Sequence, residues 1–272
     1  MPELPEVETI ARGLKSLVVD KSISDIRIYY PGIIQGDAAL FRDSVAGRTI
    51  VRVWRRAKLL LMDMEDSSHL VFHLKMTGKV WVPEPGAEID KHTHIVFEMD
   101  NGISLFFQDQ RKFGYCSWFS SRGLKNWRFF ASLGPEPLDI SLKAFAEIIR
   151  ARKSRIKALL LDQKVIAGIG NIYADESLFM SGIHPEARGC CLSDEDIERL
   201  YDSLQTVLVK AIEAGGSSFR NYRNALGYSG MFQENFLVYG KKGSCCPRCG
   251  SVISTCKVAG RTSSICTSCQ VF

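Results

Sequence analysis

Two stretches of the chain carry residue types whose spacing could do chemistry. At the carboxyl end, six of the nine cysteines fall after residue 244. Cys246-x2-Cys249 and, sixteen residues on, Cys266-x2-Cys269 have zinc-ribbon spacing, in which each two-residue knuckle lets a pair of thiolates chelate one metal. Residues 241–272 are too few to build a core alone. A closed four-thiolate Zn²⁺ is therefore expected to hold them together, as a structural rather than a catalytic ion. Cys245 is the rival for Cys246, but it would stretch the first knuckle to three intervening residues. Gly250 suits the tight turn that aims backbone amides at sulfur. Disulfides fit poorly in a chain without a secretion signal.

The second stretch is the amino end. Pro2 follows the initiator Met, and a small second residue predicts that this Met is removed, leaving a secondary amine. A nucleophilic amine must be unprotonated. An α-amine of pKa about 8 is about a tenth neutral at pH 7, against well under a thousandth for a lysine near about 10.4. The positive end of a helix starting at Pro5 pushes that balance toward the neutral form. A secondary amine also gives an iminium with no N–H to lose, an electron sink at any pH. Glu3 beside it could act as general acid or base. Taken by itself, Pro-Glu near a start codon is more often a plain helix entry.

These groups need a frame to position them. The chain has 272 residues, 46% hydrophobic and 24% charged, which is one to two domains' worth of globular protein. No stretch approaches the roughly 18 consecutive apolar residues of a membrane span. MPELPEVET carries acids where a secretory signal would be basic and then apolar, so the expected location is the cytoplasm. Of 35 basic residues against 30 acidic, Lys241, Lys242, Arg248, Lys257 and Arg261 fall in the tail after residue 240, which has no acid at all. A basic tail on a neutral body is the electrostatic footprint of a phosphate-binding appendage.

Pro5, Val7, Ile10, Leu14 and Leu17 predict a helix over 5–17. From about 22 to 120 the pattern turns to short β-rich runs (SISDIRIYY, TIVRVWRR, KLLLMDM, HLVFHLKM, KVWV, HIVFEM, ISLFF), with Asp100-Asn101-Gly102 marking a tight hairpin. Strands at this spacing indicate a sandwich or barrel. LGPEPL (133–138) reads as an interdomain link. Beyond it LKAFAEIIRAR, SRIKALLLDQ, NIYADESLFMSG and DEDIERLYDSLQTVLVKAIEAG read as helices. The architecture expected is α+β and multidomain: residues 1–132 β-rich, 133–139 a linker, 140–240 helical, 241–272 a zinc finger.

Six segments, in order, carry more than local pattern: MPELPEVET, RRAKLLL, HLKMTG, DQRKFG, GIGNIYADE and CPRCG…CTSCQ. From residue 2 to residue 270 they resemble the formamidopyrimidine-DNA glycosylase family (Fpg/Nei), bifunctional base-excision repair enzymes. The resemblance implies an N-terminal β-sandwich with an N-terminal helix, a C-terminal helix–two-turn–helix domain and a zinc-ribbon β-hairpin finger. It implies a catalytic set of Pro2, Glu3, Lys58 and Arg261. Pro2 would attack C1′ of the damaged nucleotide and Glu3 would protonate the opened sugar. Lys58 and Arg261 would hold the lesion's phosphates. It also implies a DNA-binding set of His92, Arg111, Lys157, Asn171, Met76 and Phe113. Met76, Arg111 and Phe113 would fill the hole left by the flipped nucleotide, and Lys157 and Asn171 would meet its backbone. Glu6 would lie near the damaged base. Cys246, Cys249, Cys266 and Cys269 would hold the zinc. The implied partner is damaged double-stranded DNA, bound by a monomer without a membrane.

His92-x-His94 alternates along a predicted strand and is also read as a hydrogen-bonded strand histidine pair. The sequence departs from the family pattern at the lesion-facing loop, where Asn221 and Leu226 each replace an Asp and Met231 replaces an aromatic; Lys75 replaces a small residue in HLKMTG. These departures put base preference, not the sugar chemistry, in question and leave an endonuclease VIII-like preference for oxidised pyrimidines as the alternative to oxidised purines; a rival of another class, a non-catalytic DNA-damage binder, is disfavoured by the retention of Pro2 and Glu3.

Overall fold

Helix α1 (Leu4–Val18) forms where its apolar spacing predicts, with Pro5 in the first turn, where a missing N–H costs nothing. Its stripe of Val7, Ile10, Leu14 and Val18 is fully buried, and the helix packs across strands β2 and β3. The coordinates come from a computed structural model that describes residues 1–218 and 222–272. Asn221 and its neighbours Phe219 and Arg220 thus lie outside the described residues.

Eight strands follow: β1 (Lys21–Ile28), β2 (Thr49–Arg56), β3 (Leu59–Met64), β4 (His69–His73), β5 (Gly78–Trp81), β6 (Thr93–Met99), β7 (Ser104–Asp109) and β8 (Tyr115–Phe119). They run in the order β5-β7-β6-β1-β2-β3-β4-β8, antiparallel throughout. Strand β1 belongs to both sheets of a sandwich. Lys21 and Ser22 pair with β2; after an irregularity between Ile23 and Asp25, Asp25 to Ile28 pair with β6. Between the sheets the inward set (Leu60, Met62, Phe72, Phe97, Leu105, Phe107) closes the core. The Phe72 ring meets Phe97 and Phe107 edge-on at 5.9 and 5.3 Å. The hairpin at Asp100-Asn101-Gly102 forms as read, with Gly102 at φ +81° and Met99 N–H donating to Ile103 O at 2.8 Å. Helix α2 (Ala38–Val45), strand β8 and the short helices α3 (Ser121–Asn126) and α4 (Arg128–Ala131) were not legible as periodic runs.

The other elements are helices α5 (Leu142–Arg150), α6 (Ile156–Leu161), α7 (Asn171–Ser181) and α8 (Asp194–Glu213) and a hairpin, β9 (Ser254–Val258) with β10 (Arg261–Ile265). Among the described residues no helix is long and apolar enough to cross a membrane.

The chain divides into two units, with a break at 131/132 and two more, at 213/214 and 233/234, that the sequence does not suggest. One comprises residues 1–131 with 214–233, the other 132–213 with 234–272. Residues 214–233, expected with the helices, belong with the sandwich instead: Val82 N–H donates to Ala225 O at 2.8 Å, and a Cβ on Gly13 would come within 2.7 Å of the Ala225 side chain. Residues 133–139 are not a free linker either. Gly134 N–H bonds Gln163 O at 2.8 Å and Ala167 N–H bonds Pro135 O at 3.0 Å. Residues 241–272 are not a body of their own. Val238, Ile253, Cys246 and Cys266 share one apolar cluster with Phe179 of α7, since so short a hairpin has no second face to bury.

Candidate functional site

In the first unit Pro2 and Glu3 are both buried at the amino end of α1. A second acid holds them there. Glu6, 1% exposed, accepts the Glu3 N–H on Oε2 and the Ser217 N–H on Oε1, both at 2.8 Å. Tyr222 Oη donates to Glu6 O at 3.3 Å, and burial together with the Glu6 charge pushes its phenol well above the ordinary range. Gly216 (φ +80°) is needed here, because a Cβ would sit 3.1 Å from both Glu6 Cγ and the Tyr222 ring. Glu6 is thus a strut between the helix start and the base of the 217–231 loop, with both its oxygens engaged.

Lys58 lies in the two-residue turn between β2 and β3, where Ala57 takes φ +54° and Arg56 pairs with Leu59. Its side chain is largely buried. His73, opposite Leu59 at the end of β4, is buried too, and its Nδ1 accepts the Lys75 N–H at 3.1 Å. Burial, then the charges of Lys75 and Lys58, hold the imidazole down to about 3. The unfolded chain takes up this proton below about 6.5, whereas the native one resists it until about 3. Stability is therefore lost as pH falls through that window, at up to about 1.4 kcal/mol per pH unit. His73→Asn keeps an acceptor at the Nδ1 position and removes the titration. Urea unfolding from pH 7 down to pH 4.5 should show a flatter decline in this variant than in the parent.

The two segments predicted to fill a vacated base position are tied together by a residue the sequence did not single out. Asp109, 1% exposed, accepts Gly114 N–H on Oδ2 at 2.6 Å and Arg111 N–H on Oδ1 at 3.1 Å, and Thr77 Oγ1 also donates to Oδ1. Met76, preceding Thr77, is half-buried; Phe113 is 54% exposed, with the Arg111 guanidinium 4.6 Å from its ring centre. An exposed Phe capped by an Arg is an apolar wedge beside a fan of donors. His92 lies in the turn before β6 rather than on the strand, its N–H bonded to Asp90 Oδ1 at 2.9 Å. His94, by contrast, is a buried strand residue with Nε2 2.7 Å from Asp109 O. In the loop that departs from the family pattern, Leu226 and Met231 are 51% and 56% exposed.

In the second unit Lys157 and Asn171 converge on one carbonyl beside Arg261. Thr262 O accepts from Asn171 Nδ2 at 3.0 Å and from Lys157 Nζ at 3.3 Å. Lys157, expected at a phosphate, is held by partners within the chain. Its side chain is fully buried and donates to Asp175 Oδ1 at 2.5 Å and Ser263 Oγ at 2.7 Å. Asp175 Oδ2 in turn accepts Ser264 N–H at 3.0 Å. Removing one partner of a buried pair strands the other charge, so this pair fastens α6 and α7 to β10. It thereby fixes the hairpin tip, where Ala259 (φ +51°) and Gly260 (φ +71°) form the tight turn that leaves Arg261 exposed. The adjacent acid Glu176 accepts three consecutive amides, from Leu237, Val238 and Tyr239, at 2.7–3.0 Å.

Cys246, Cys249, Cys266 and Cys269 place their sulfurs within 4.8 Å of one another, a cluster that could hold a metal ion. Cys246–Cys269 and Cys249–Cys266 are 3.8 and 3.5 Å apart. That fits the edge of roughly 3.8 Å of a tetrahedron with metal–sulfur bonds of about 2.3 Å. Arg248 N–H points at Cys246 Sγ, 3.4 Å away, and Gly250 takes φ +78° after the knuckle. Cys245 and Cys256 stand outside this cluster.

Known proteins match along the whole chain. The model of the formamidopyrimidine-DNA glycosylase N-terminal domain matches residues 1–116, and that of the formamidopyrimidine-DNA glycosylase H2TH domain matches residues 133–223. A Bacillus cereus protein named formamidopyrimidine-DNA glycosylase is 42% identical over 99% of both chains. Among solved structures, a Lactococcus lactis Fpg variant in complex with Fapy-dG containing DNA aligns at a TM-score of 0.92, with 38% identity over 99% of each chain. The same enzyme in complex with abasic-site DNA aligns equally well over 98% of this chain and 99% of that one.

Proposed function

The chain belongs to the formamidopyrimidine-DNA glycosylase family, and from this we propose that it is a DNA glycosylase and abasic-site lyase that removes oxidised purines such as 8-oxoguanine and formamidopyrimidines. The observation that carries the reading is the pairing of a buried Pro2–Glu3 with the strut Glu6, which fixes the orientation of the chain's first residues.

Once Met1 is removed, the Pro2 nitrogen lone pair attacks C1′, and the C1′–base bond breaks with its electron pair leaving on the base. The amine sheds its N–H proton, the C1′–O4′ bond then breaks with its electron pair going to O4′, and Glu3 protonates that oxygen of the opened sugar. The resulting iminium draws electrons from C2′–H, so loss of that proton expels the 3′ phosphate. A second elimination expels the 5′ phosphate and leaves a one-nucleotide gap. Met76, Arg111 and Phe113 occupy the space the flipped nucleotide vacates, with Asp109 holding their segments. Lys58, Asn171 and Arg261 serve the phosphates and His92 lies at the DNA margin, while Lys157 acts through Thr262 as a positioning residue. The metal of the four-cysteine cluster is a structural zinc: four thiolates close the site and leave no open position for substrate. The protein acts as a cytoplasmic monomer. Catalysis belongs to residues 1–131 completed by 214–233, the phosphate grip to the helices and hairpin.

The test is borohydride trapping on duplexes carrying 8-oxoguanine opposite C or thymine glycol. A reduced covalent adduct with the purine lesion, formed faster than with thymine glycol, is the expected result. Faster reaction with thymine glycol would move the substrate class to oxidised pyrimidines, a shift the exposed Leu226 and Met231 could produce. Tight binding without any adduct would leave only a damage binder.

A further inference from the structure

Cys190 and Cys191 are adjacent in the chain, both exposed, and remote in sequence from the ribbon cysteines. Their sulfurs lie 3.8 Å apart, the separation of the Cys246–Cys269 pair in the metal-competent cluster. We propose that these two thiols form a second, independent chelating site, one that takes trivalent arsenic of the arsenite and aryl-arsenoxide class.

The backbone that carries them is held in place before any ligand arrives. Gly189–Cys191 is a single 3₁₀ turn. Cys190 N–H bonds Arg152 O and Cys191 N–H bonds Arg188 O, each at 3.0 Å, and Gly189 N–H bonds Ser154 O at 3.1 Å. The turn is pressed onto its surroundings: a Cβ at Gly189 would lie 2.7 Å from Ile149 O and 2.8 Å from Leu159 Cδ1. A preorganised pair loses little freedom on chelation. One soft centre can reach both sulfurs without moving this backbone, and two adjacent thiols are the donor set that trivalent arsenic prefers over a single one. Cys191 resists ionising because its neighbour Cys190 bonds and repels its thiolate. The reaction needs no thiolate, however. With an arsenoxide, two As–S bonds form, two S–H bonds break, and the oxygen departs as water carrying both protons; no atom changes oxidation state. The ribbon cysteines, engaged with their own metal, do not compete.

The experiment uses the full-length, zinc-loaded protein with one equivalent of phenylarsine oxide, followed by intact mass and by zinc release to a chromogenic chelator. One phenylarsenic adduct per chain with zinc retained, reversed by a dithiol but not by a monothiol, is the expected result. Cys190→Ser and Cys191→Ser should each weaken uptake at least tenfold while keeping full zinc. Uptake that persists in both variants, or zinc released in proportion to arsenic bound, would place the arsenic on the ribbon and overturn the proposal, as would the absence of any adduct.

Discussion

Adding a single residue ahead of Pro2 should abolish borohydride trapping, a drop of about 10³-fold or more, while leaving binding to uncut abasic-site duplex unchanged. The added peptide bond delocalises the nitrogen lone pair into a carbonyl, and an amide neither attacks C1′ nor forms an iminium. Trapping by the lengthened chain at the parent rate would remove Pro2 from the chemistry and move the nucleophile to a lysine. Intact mass of the purified parent, showing loss of Met1, is the companion measurement.

Removing one ligand of the metal cluster should be the second large effect. Cys249→Ser should reduce bound zinc from one per chain to near none and melt the β9–β10 hairpin. A structural zinc site of this kind contributes on the order of 10 kcal/mol to its own folding in isolated peptides. Here the apolar support of the finger is a small cluster around Phe179, Val238 and Ile253 with a few further buried side chains such as Val258 and Ile265, too little to replace that contribution. With the tip unmoored Arg261 no longer meets phosphate, so affinity for lesion DNA should fall at least 100-fold. The slope of log affinity against log salt should become shallower by about one for each phosphate that is no longer neutralised. Arg261→Ala should reproduce the shallower slope with the hairpin intact and zinc retained. Full affinity in the metal-free variant would show the hairpin to be dispensable.

How far the sequence was readable divides along a physical line. Periodicity located α1, seven strands of the sandwich and the four longer helices, because burying one face of an element writes a repeat into its own residues. The cysteine knuckles were readable for the same reason, since chelation fixes spacing locally. What escaped were the buried acids. Glu6, Asp109, Asp175 and Glu176 each sit inside or beside a recognisable motif, and each is 1–2% exposed. Apart from the local amides and the Thr77 hydroxyl on Asp109, their partners include amides and a lysine far along the chain: Ser217 for Glu6, Lys157 and Ser264 for Asp175, Leu237 to Tyr239 for Glu176. Composition places an acid outside by default, and only the folded chain shows which ones fold back to satisfy distant backbone. The fixed partner of Lys157, Asp175 eighteen positions away, was out of the sequence's reach for the same reason.

The sandwich unit is assembled from two separated stretches of sequence, with Ser217, Tyr222 and Ala225 supplied only after all of α5 to α8. During synthesis, then, the ribosome delivers the amino-terminal end first and the piece that locks it only after the helices. At about 5–20 residues per second, the nascent enzyme passes roughly 10–40 seconds with Glu6 lacking its Ser217 partner. A shortened polypeptide ending at residue 131 should inherit that immaturity permanently, exposing the patch on α1 that Tyr222 and Ala225 otherwise cover and clumping where the whole chain does not.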